Sequence, residues 1–452
     1  MNSVDTDKNF IENLSQAMNV LNDMNLSCET FCLAPYLDLD LDQNGKCMSC
    51  HHGKNAMGEW KGKMISNEFN NKNFQELRQQ QADGMPHSNC AKCYEVESKQ
   101  SRSLRQRWLS DTYRQYGKEG FRNLLQTLKQ NMPFADTKNI QRAEVRALSL
   151  CNLRCMHCDA RSSSQWMNWQ TDPNIFDASK QSGIWLPKDS THKNITKYFN
   201  HHNAPSKYPL ETLDVLSHTK ILQFSGGEPL LDPTHTDWLK YFIHQSKTSH
   251  SMSLDYNSNL NIDNLEEYFE YWQQFKHIQF RVSLDSPPST YKYFRRNGNF
   301  EIVQKNINAL KKQFESKIIS GNLLGTITFN FFSALRWKEV TEWYCNNNIE
   351  FHSSLVVGGP VDASYLPDSM KQTAVNDMEW CIENISKNHS DYQYITQYLY
   401  HTQDCVNYIK NSNNVGDRLT KDCLTYFLMH DTHTDLNTKD FFPELEAMLE
   451  NY

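Results

Sequence analysis

The sequence predicts an α/β fold built on parallel strands, with a functional site at one end of those strands. Between residues 144 and 360, apolar strand-like runs alternate with amphipathic helix-like segments, which is the pattern of successive βα units. Motifs rich in cysteine, glycine or polar residues follow several of the strand-like runs. Because the carboxyl ends of parallel strands meet on one side of a sheet, these motifs are expected to lie together there.

Composition narrows the class of protein. The chain has 452 residues, enough for two or three domains. A net charge of −7 and a pI near 6.2 argue against a broad phosphate-binding face, so nucleic acid is not expected as a partner. The mean hydropathy of −0.72 and the lack of a long apolar run predict a protein without a membrane span.

The first residues and the cysteine content predict the compartment. Residues 1–10 are polar and acidic and contain no hydrophobic signal segment. Thirteen cysteines in a chain without an export signal indicate metal ligation rather than a disulfide framework. A reducing, cytoplasmic setting is therefore expected.

The expected elements can be given in chain order. A first helix over residues 10–24 follows from the helical spacing of its apolar residues. Strands are predicted over residues 145–150, 220–224, 251–256, 278–284, 324–330 and 351–357. Helices between them are predicted over residues 233–246, 265–275, 301–315 and 337–347. Beyond residue 367 the chain is expected to be helical, with Cys381, Cys405 and Cys423 as buried structural thiols.

Residues 37–50 predict a β-hairpin within a cysteine-rich N-terminal region. Leucine and aspartate alternate strictly up to Asp42, and the Asn-Gly pair that follows is typical of a type I′ turn. If that pair forms the turn, Leu39 faces Cys50 on the apolar side, whereas Cys47 faces Asp42 on the solvent side. Cys50 is then the better inward ligand.

Three cysteines follow the first predicted strand of the alternating region, at positions i, i+4 and i+7. They are Cys151, Cys155 and Cys158. Three thiols within eight residues can converge on one metal centre. They are one short of the four ligands that close a structural zinc or iron–sulfur site, so one coordination position stays open for a substrate or cofactor.

A Ser-Gly-Gly-Glu-Pro motif follows the second predicted strand. Gly226 and Gly227 allow the backbone to approach a ligand closely. Glu228 offers a charged acceptor for an ammonium group. Taken alone, the motif would be an ordinary turn.

The order CxxxCxxC and then GGE resembles the signature of the radical S-adenosylmethionine (radical SAM) enzymes. The resemblance implies that the six strands form the open, partial (β/α)6 TIM-type barrel of that family. It implies that Cys151, Cys155 and Cys158 bind three irons of a 4Fe–4S cluster, and that the fourth iron binds S-adenosylmethionine. Glu228 would then meet the methionine ammonium, and reductive cleavage would give a 5′-deoxyadenosyl radical that abstracts a substrate hydrogen.

The same resemblance assigns further cofactor contacts. Ser283 and Asp285 match the ribose-contacting position, and Asn257 matches a polar contact after the third strand. Arg295 matches an arginine that pairs with the methionine carboxylate in relatives, with Arg296 as the alternative.

The resemblance also names residues near the adenine. His157, directly before the last cysteine, is expected to pack or hydrogen-bond there rather than to bind metal. Val357 ends the sixth strand, where relatives pack backbone and apolar groups on the adenine. Asn330 closes the fifth strand in a similar way to Asn257.

The N-terminal region resembles the twitch/SPASM auxiliary-cluster module of radical SAM enzymes. The residues that carry this likeness are Cys32, Gly45, Cys50, Cys90, Cys93, Glu97 and the segment 101–105. The likeness implies a second 4Fe–4S cluster on Cys32, Cys50, Cys90 and Cys93. The alternative is a zinc ribbon, in which Cys47 replaces Cys32. In the best-known members the module follows the barrel, whereas here it precedes it.

The predicted organisation has five parts. They are an N-terminal helix (1–27), the auxiliary module (28–110), a helical linker (111–143), the core barrel (144–367) and a helical C-terminal region (368–452). The barrel contains an insertion at 161–219, which is too long for an ordinary βα connection and forms either a lid or a covering subdomain.

The predicted function is that of a cytoplasmic radical SAM enzyme that modifies a peptide or protein and takes electrons from a reductant such as flavodoxin or ferredoxin. A second hypothesis is the dehydrogenation or rearrangement of a small molecule. A third is a catalytically inactive binding protein stabilised by zinc or iron. No pattern in the sequence identifies a general base or a substrate thiolate.

Overall fold

The computed structural model describes residues 3–98, 102–146, 148–159, 162–166, 210–356, 361–412, 416–432 and 434–450. Within them the strands are β1 Asp38–Leu41, β2 Lys46–Met48, β3 Gly58–Glu59, β4 Arg142–Val145, β5 Arg154–Cys155, β6 Ile221–Phe224, β7 Ser253–Ser258, β8 His277–Ser283, β9 Arg295–Arg296, β10 Gly321–Phe329 and β11 Glu350–Leu355. Most of the predicted insertion at 161–219 lies outside the described residues.

The described α-helices begin with α1 Ser3–Asp23, α2 Ala34–Leu37, α3 Ile65–Glu68, α4 Lys72–Ala82, α5 Ala91–Ser98, α6 Leu104–Asn131 and α7 Leu210–Ser217. They continue with α8 His235–Lys240, α9 Phe269–Trp272, α10 Pro288–Phe294, α11 Phe300–Glu315, α12 Phe331–Leu335 and α13 Trp337–Asn346. The last are α14 Asp368–Asn388, α15 Ile395–Asn411, α16 Gly416–Thr432, α17 Thr438–Phe441 and α18 Glu446–Leu449.

One nine-stranded sheet organises the described part of the chain, in the order β11-β10-β8-β7-β6-β4-β1-β2-β3. All neighbours from β11 to β1 are parallel, and β2 and β3 are antiparallel. The six strands expected from the sequence therefore lie side by side in chain order, as successive βα units require. The predicted α/β fold with a mostly parallel sheet is confirmed, and it is consistent with a partial barrel.

The first of these six strands lies earlier in the chain than expected. It was predicted over residues 145–150, but β4 ends at Val145. The residues that follow are hydrogen-bonded to the Gly-Gly-Glu loop instead: the N–H of Gly227 donates to Leu148 O (3.2 Å), and that of Glu228 donates to Leu150 O (2.7 Å). Val145 of the predicted run thus belongs to the strand, whereas the backbone of Leu148 and Leu150 supports the Gly-Gly-Glu loop.

The N-terminal hairpin extends the same sheet. Strand β1 is parallel to β4, with Leu39 opposite Ala143 and Leu41 opposite Val145. Helix α6 runs continuously across residue 110, where a domain boundary was predicted. The cysteine-rich region is therefore joined to the parallel strands by backbone hydrogen bonds as well as by the chain.

The register of the hairpin differs from the prediction by one residue. Leu41 pairs with Cys47, whereas the sequence placed Asp42 there. The loop holds three residues instead of two, because Asp42 and Lys46 close it: Asp42 N–H donates to Lys46 O (2.9 Å), and the Asp42 carboxylate accepts from Lys46 N–H (2.8 Å). Gly45 takes the positive φ (78°) that such a loop requires.

The shift in register changes the predicted orientations of two cysteines in the hairpin. Cys47 is fully buried instead of facing solvent. Cys50 lies beyond the end of β2 instead of opposite Leu39. Cys50 therefore reaches its surroundings from a turn and not from the apolar face of a strand.

The two faces of the sheet differ sharply in polarity. One face is aromatic: Phe224 contacts Trp238 of α8 (ring centroids 6.0 Å apart), and Tyr256 contacts Trp272 of α9 (5.5 Å). Tyr256 also stacks on Phe280 of the neighbouring strand (4.9 Å). The core between sheet and helices is formed by this face.

The opposite face carries ion pairs within and between strands. Arg142 pairs with Asp38 of β1 (3.1 Å) and with Glu144 (3.3 Å). Further along the sheet, Arg281 pairs with Asp255 (3.2 Å). This polar face lies away from the helices that cover the aromatic one.

The described residues beyond 367 are mainly helical, as predicted, and Cys381, Cys405 and Cys423 are buried. This region also contacts the cysteine loop, because the Tyr426 hydroxyl of α16 donates to the carbonyl of Met156 (3.1 Å). Among the described helices, none is both long and apolar enough to cross a membrane.

Candidate active site

The loop after β4 brings three cysteines together. Cys151, Cys155 and Cys158 form a small cluster around the buried Leu153. The thiols of Cys155 and Cys158 are hydrogen-bonded to each other. The three candidate ligands of the CxxxCxxC motif thus share one location at the carboxyl end of the strand.

Two side chains that the sequence did not single out hold this loop. Trp166 donates from its indole N–H to the carbonyl of Cys155 (2.9 Å). Tyr426 bonds to Met156 from the opposite end of the chain, 270 residues away. Trp166 lies within the predicted insertion at 161–219, and no local pattern indicates a contact as distant as that of Tyr426.

A buried arginine faces the cysteine cluster. Strands β5 and β9 pair so that Cys155 lies opposite Arg295, and Nη1 of Arg295 is 3.5 Å from the Cys155 sulfur. The Cys158 hydrogen bond and the Arg295 guanidinium lower the pKa of Cys155, although its burial opposes them. Burial raises the pKa of Cys151 to about 12. Arg295 therefore offers positive charge where thiolates would bind metal.

Arg295 also forms a buried ion pair with Asp285. The second carboxylate oxygen of Asp285 accepts the backbone N–H of Thr328 (2.7 Å). Arg296, the alternative partner for a methionine carboxylate, faces the C-terminal region and donates to the Thr434 hydroxyl (2.9 Å). The structure therefore places Arg295, and not Arg296, beside the cysteines and Asp285.

The two glycines of the Gly-Gly-Glu motif are required by close backbone packing. A Cβ at Gly227 would lie 2.1 Å from the carbonyl oxygen of Leu150, and one at Gly226 would lie 2.9 Å from that of Leu148. Gly226 also has a positive φ of 111°. The close approach predicted from these glycines is thus made to the chain that leads into the cysteine loop.

Glu228 is buried and held in a fixed position. Its carboxylate accepts the backbone N–H of Asn259 (2.7 Å) and the hydroxyl of Ser258 (2.9 Å). Burial raises the pKa of Glu228 to about 7, against the effect of these hydrogen bonds. A cation nearby would favour the ionised form.

Asn259 links Glu228 to the cysteine cluster, a role that the sequence did not predict. Its side-chain amide lies 3.7 Å from the Cys151 sulfur and 3.1 Å from Asn152 Oδ1. Asn257, the predicted contact, lies two residues earlier on β7 and faces Arg281 of β8. The sequence feature that could have identified Asn259 is its position in the polar run 257–259, which follows the third predicted strand.

The remaining predicted contacts lie at the same end of the sheet. Ser283 is half-buried at the end of β8, opposite Thr326 of β10. His157 stacks on Phe294 (ring centroids 5.2 Å apart), and burial lowers its pKa to about 4. Val357 lies outside the described residues.

Asn330 has a structural role at the end of β10. Its side-chain oxygen accepts the backbone N–H groups of Phe332 and Ser333 and so caps α12. Its amide nitrogen donates to the carbonyl of Thr328. Both polar atoms of this side chain are therefore engaged in the local fold.

A second group of cysteines lies in the N-terminal region. Cys32, Cys50, Cys90 and Cys93 line one small cavity. Burial raises the pKa of Cys90 to about 11, and it also raises the pKa values of Cys32 and Cys50. The four cysteines assigned to an auxiliary site from the sequence are thus neighbours in the structure.

Arg105 contributes a buried positive charge to this second cavity. It forms an ion pair with Glu97 (2.5 Å) and donates to the carbonyl of Phe31 (3.1 Å). Glu97 and the segment ending at Arg105 were part of the predicted module. Their contacts tie the end of α5 and the start of α6 to the chain beside Cys32.

Cys47 does not line this cavity. It lies on β2, and its sulfur would be 2.9 Å from a Cβ at Gly58 on the neighbouring β3. The zinc-ribbon alternative needs Cys47 together with Cys50, Cys90 and Cys93, whereas the cavity gathers Cys32 with those three.

The donors at both cysteine groups fit iron–sulfur clusters. Each group offers thiols with a buried guanidinium beside them. In the described ranges, no three His, Cys, Asp or Glu side chains are arranged to hold a single metal ion. Cysteines of a 4Fe–4S site bind separate irons and are spaced more widely than the ligands of one ion.

Residues 147–331 match the family model described as the Radical SAM superfamily. Among solved structures, native anSMEcpe with bound AdoMet is similar, with 14% sequence identity and a TM-score of 0.34 over 55% of this chain and 62% of that chain. A histidine-tagged form of anSMEcpe with bound AdoMet gives 15% identity and a TM-score of 0.33, over 55% and 62% respectively. The comparison with curated proteins gave no match.

The superfamily match covers the three cysteines, the Gly-Gly-Glu loop and the Arg295–Asp285 pair. Residues 147–331 are therefore similar to a radical SAM domain. The chain spans about 62% of the length of the anSMEcpe structures that it matches.

Proposed function

We propose that this protein is a radical SAM enzyme that modifies a side chain of a peptide or protein. The observation that carries the proposal is the convergence of the buried Cys151 and Cys155, the partly buried Cys158, Glu228 and Arg295 at the carboxyl ends of the strands. When bound, the 4Fe–4S cluster and S-adenosylmethionine supply the reductive cleavage that yields a 5′-deoxyadenosyl radical for hydrogen abstraction. The protein holds and orients these groups and keeps water away from them.

Each residue of the site has a distinct task in this proposal. Cys151, Cys155 and Cys158 hold the cluster. Glu228, already fixed by the N–H of Asn259 and the hydroxyl of Ser258, receives the methionine ammonium. Arg295 compensates the charge of the thiolates and attracts the methionine carboxylate.

The ribose and adenine contacts complete this part of the proposal. Ser283, Asp285 and Asn257 are the proposed polar contacts, with His157 packing near the adenine and Val357 completing that side. Asp285 is already paired with Arg295, so it also fixes the direction of the guanidinium.

The N-terminal cavity is proposed to hold a second 4Fe–4S cluster on Cys32, Cys50, Cys90 and Cys93. This proposal is supported by the shared cavity and by the buried Arg105, which offsets the negative charge that four thiolates bring. An electron donor such as flavodoxin or ferredoxin and a reducing, cytoplasmic location complete the proposal.

Iron and sulfide analysis of the anaerobically reconstituted protein tests this function. We expect about eight irons per chain, falling to about four in Cys151→Ala/Cys155→Ala/Cys158→Ala. The wild type should also release 5′-deoxyadenosine from S-adenosylmethionine with a strong reductant, and the variant should not.

Three other outcomes would contradict the proposal in different ways. About four irons that fall to none, with zinc retained, would mean a single cluster and a zinc-bound N-terminal site. A colourless protein that releases no 5′-deoxyadenosine would support the inactive binding protein. Turnover of a small molecule without any effect of peptides would support a dehydrogenase or rearrangement enzyme.

A further inference from the structure

A basic groove lies at the end of the sheet opposite the cysteine loop. It has a volume of about 470 Å³ and runs between α6 and the amino ends of β4, β6, β7 and β8. Arg107, Trp108 and Gln115 line it from α6, and Lys220, Ile221 and Lys276 line it from the strand ends. None of these residues belongs to the candidate active site.

The groove is elongated. Along α6 it extends from Leu104 to Gln115, which is about 16 Å at the rise of an α-helix. Across the sheet it spans four neighbouring strands, which is about 14 Å. A length of about 16 Å accommodates about five residues of an extended chain.

The groove carries more positive than negative charge, although the carboxylate of Asp404, outside the lining, lies near Arg107. Arg107, Lys220 and Lys276 form no ion pair with a carboxylate in the described part of the chain; Lys220 donates instead to the Tyr116 hydroxyl (2.6 Å). The one acidic residue on the lining, Asp111, is already paired with Arg114 (3.0 Å). An anionic ligand is therefore favoured, although the chain as a whole carries a net charge of −7.

The positions of the cations distinguish between kinds of anion. Arg107 lies in the first turn of α6, whereas Lys220 lies at the far end of the groove, beside Tyr116, and Lys276 precedes β8. A nucleotide concentrates its charge on adjacent phosphates, but an acidic peptide distributes charge along its length. Trp108 and Ile221 offer apolar contacts between the charges, and Gln115 can bond to a peptide backbone.

We infer that this groove binds an extended, acidic segment of the peptide or protein substrate, away from the side chain that is modified. The inference rests on the proposed function. The seven residues of β8 separate the groove from the active site by about 20 Å. At about 3.3 Å per extended residue, at least six or seven residues must connect the acidic segment to the modified residue.

Selection from a displayed library of random heptapeptides on the anaerobically reconstituted full chain tests the inference. Enriched peptides should carry two or more Asp or Glu residues. Synthetic, fluorescein-labelled copies should bind the variant Arg107→Gln/Lys220→Gln/Lys276→Gln about tenfold more weakly than the wild type, and binding should weaken as salt is raised. A matched control, Lys305→Gln/Lys312→Gln/Lys387→Gln, removes three exposed cations elsewhere and should bind like the wild type.

Enrichment without acidic residues, or equal binding to both triple variants, would overturn the inference. So would groove-dependent binding of ATP or pyrophosphate in the absence of any enriched peptide, which would assign the groove to small anions. Production of 5′-deoxyadenosine from S-adenosylmethionine is measured on the same samples. If peptides bind at the groove but the wild-type protein releases no 5′-deoxyadenosine, the proposed radical chemistry fails while the docking site stands. If the wild-type protein releases 5′-deoxyadenosine but no peptide binds at the groove, only the docking site is removed.

Discussion

At the scale of single residues, the candidate site depends on contacts that tolerate little change. Gly227 touches the backbone before Cys151, and Arg295 and Asp285 form a buried pair beside Cys155. The Gly227 contact is limited by steric overlap, whereas the Arg295–Asp285 contact depends on buried charge. We derive a separate prediction from each.

Substitution of Gly227 by alanine should disrupt the loop by steric overlap. A Cβ would lie 2.1 Å from a backbone oxygen that has no flexible end to move away. We expect a loss of about 3 kcal/mol in the free energy of unfolding, measured with denaturant. Gly62→Ala is the control: nothing lies within 4 Å of its Cβ, and only its positive φ should cost about 1 kcal/mol. Equal losses in the two variants would show that the overlap is relieved.

Substitution of Asp285 by asparagine should leave the Arg295 charge buried without its partner. The two side chains are only 0% and 4% exposed, so we expect a loss of about 3–5 kcal/mol in unfolding free energy. Asp255→Asn breaks the Arg281 pair, in which the arginine is 31% exposed, and should cost less than about 1 kcal/mol. A comparable cost for both changes would contradict the idea that burial makes the first pair important.

At the scale of elements, one loop decides how the N-terminal cysteines are used. The three-residue loop closed by Asp42 and Lys46 shifts the register of β2 by one residue. Cys47 therefore points into the core, while Cys50 reaches the cavity of the proposed auxiliary site from the turn beyond the strand. A shift of one residue in the register of β2 thus distinguishes the candidate ligand set with Cys32 from the set with Cys47.

Single serine variants distinguish these ligand sets. Cys32→Ser should lower the metal content of the N-terminal site by most of its about four irons, because Cys32 lines the cavity. Cys47→Ser should retain the metal, because Cys47 lies outside the cavity. Iron, zinc and sulfide are measured on both proteins. Metal loss from Cys47→Ser with retention in Cys32→Ser would favour the zinc ribbon.

At the scale of the whole molecule, the N-terminal region and the parallel strands form one sheet. Strand β1 pairs with β4 along four residues, and its aspartates meet the arginines of the neighbouring strand. Glu144, in the same group of charges, accepts the hydroxyl of Ser225 (2.6 Å), the residue that precedes the Gly-Gly-Glu motif. The two predicted cofactor regions are therefore connected by a continuous network of backbone and ionic contacts.

The buried aspartates of β1 should make stability depend on pH. Burial and the neighbouring Glu144 raise the pKa of Asp40 to about 7, although Arg146 opposes them. The pKa of this carboxyl group is lower in the unfolded chain, near 3.8. At pH values between the two pKa values, the native state therefore holds a proton that the unfolded state has lost. The unfolding free energy should fall as pH rises from about 5.5 to about 8. Asp40→Asn should remove about 2 kcal/mol of this decrease, measured by urea unfolding across that interval.

The exposed Asp263 provides the control for the pH measurement. Asp263→Asn should leave the slope of stability against pH as it is in the wild type. A wild-type slope that survives in Asp40→Asn would show that other groups, such as Asp38, whose pKa burial also raises to about 6, are responsible.

The sequence by itself determined the parallel α/β core, the order of its strands and the cysteines and Gly-Gly-Glu loop of the candidate active site. These features are local: hydrophobic periodicity, turn residues and ligand spacing are all read within a few residues. It also grouped Cys32, Cys50, Cys90 and Cys93 through a likeness to known modules. The structure places those four at one cavity.

Only the tertiary structure decided how distant parts of the chain complete the site. It joined β1 to β4, turned Arg295 and not Arg296 toward Cys155, and brought Asn259 and Tyr426 to the cysteine loop. It also aligned α6 with the strand ends to form the basic groove. Such contacts depend on packing between elements that are far apart in sequence. Burial and charge pairing stabilise these contacts, but they produce no periodic pattern of residues along the chain.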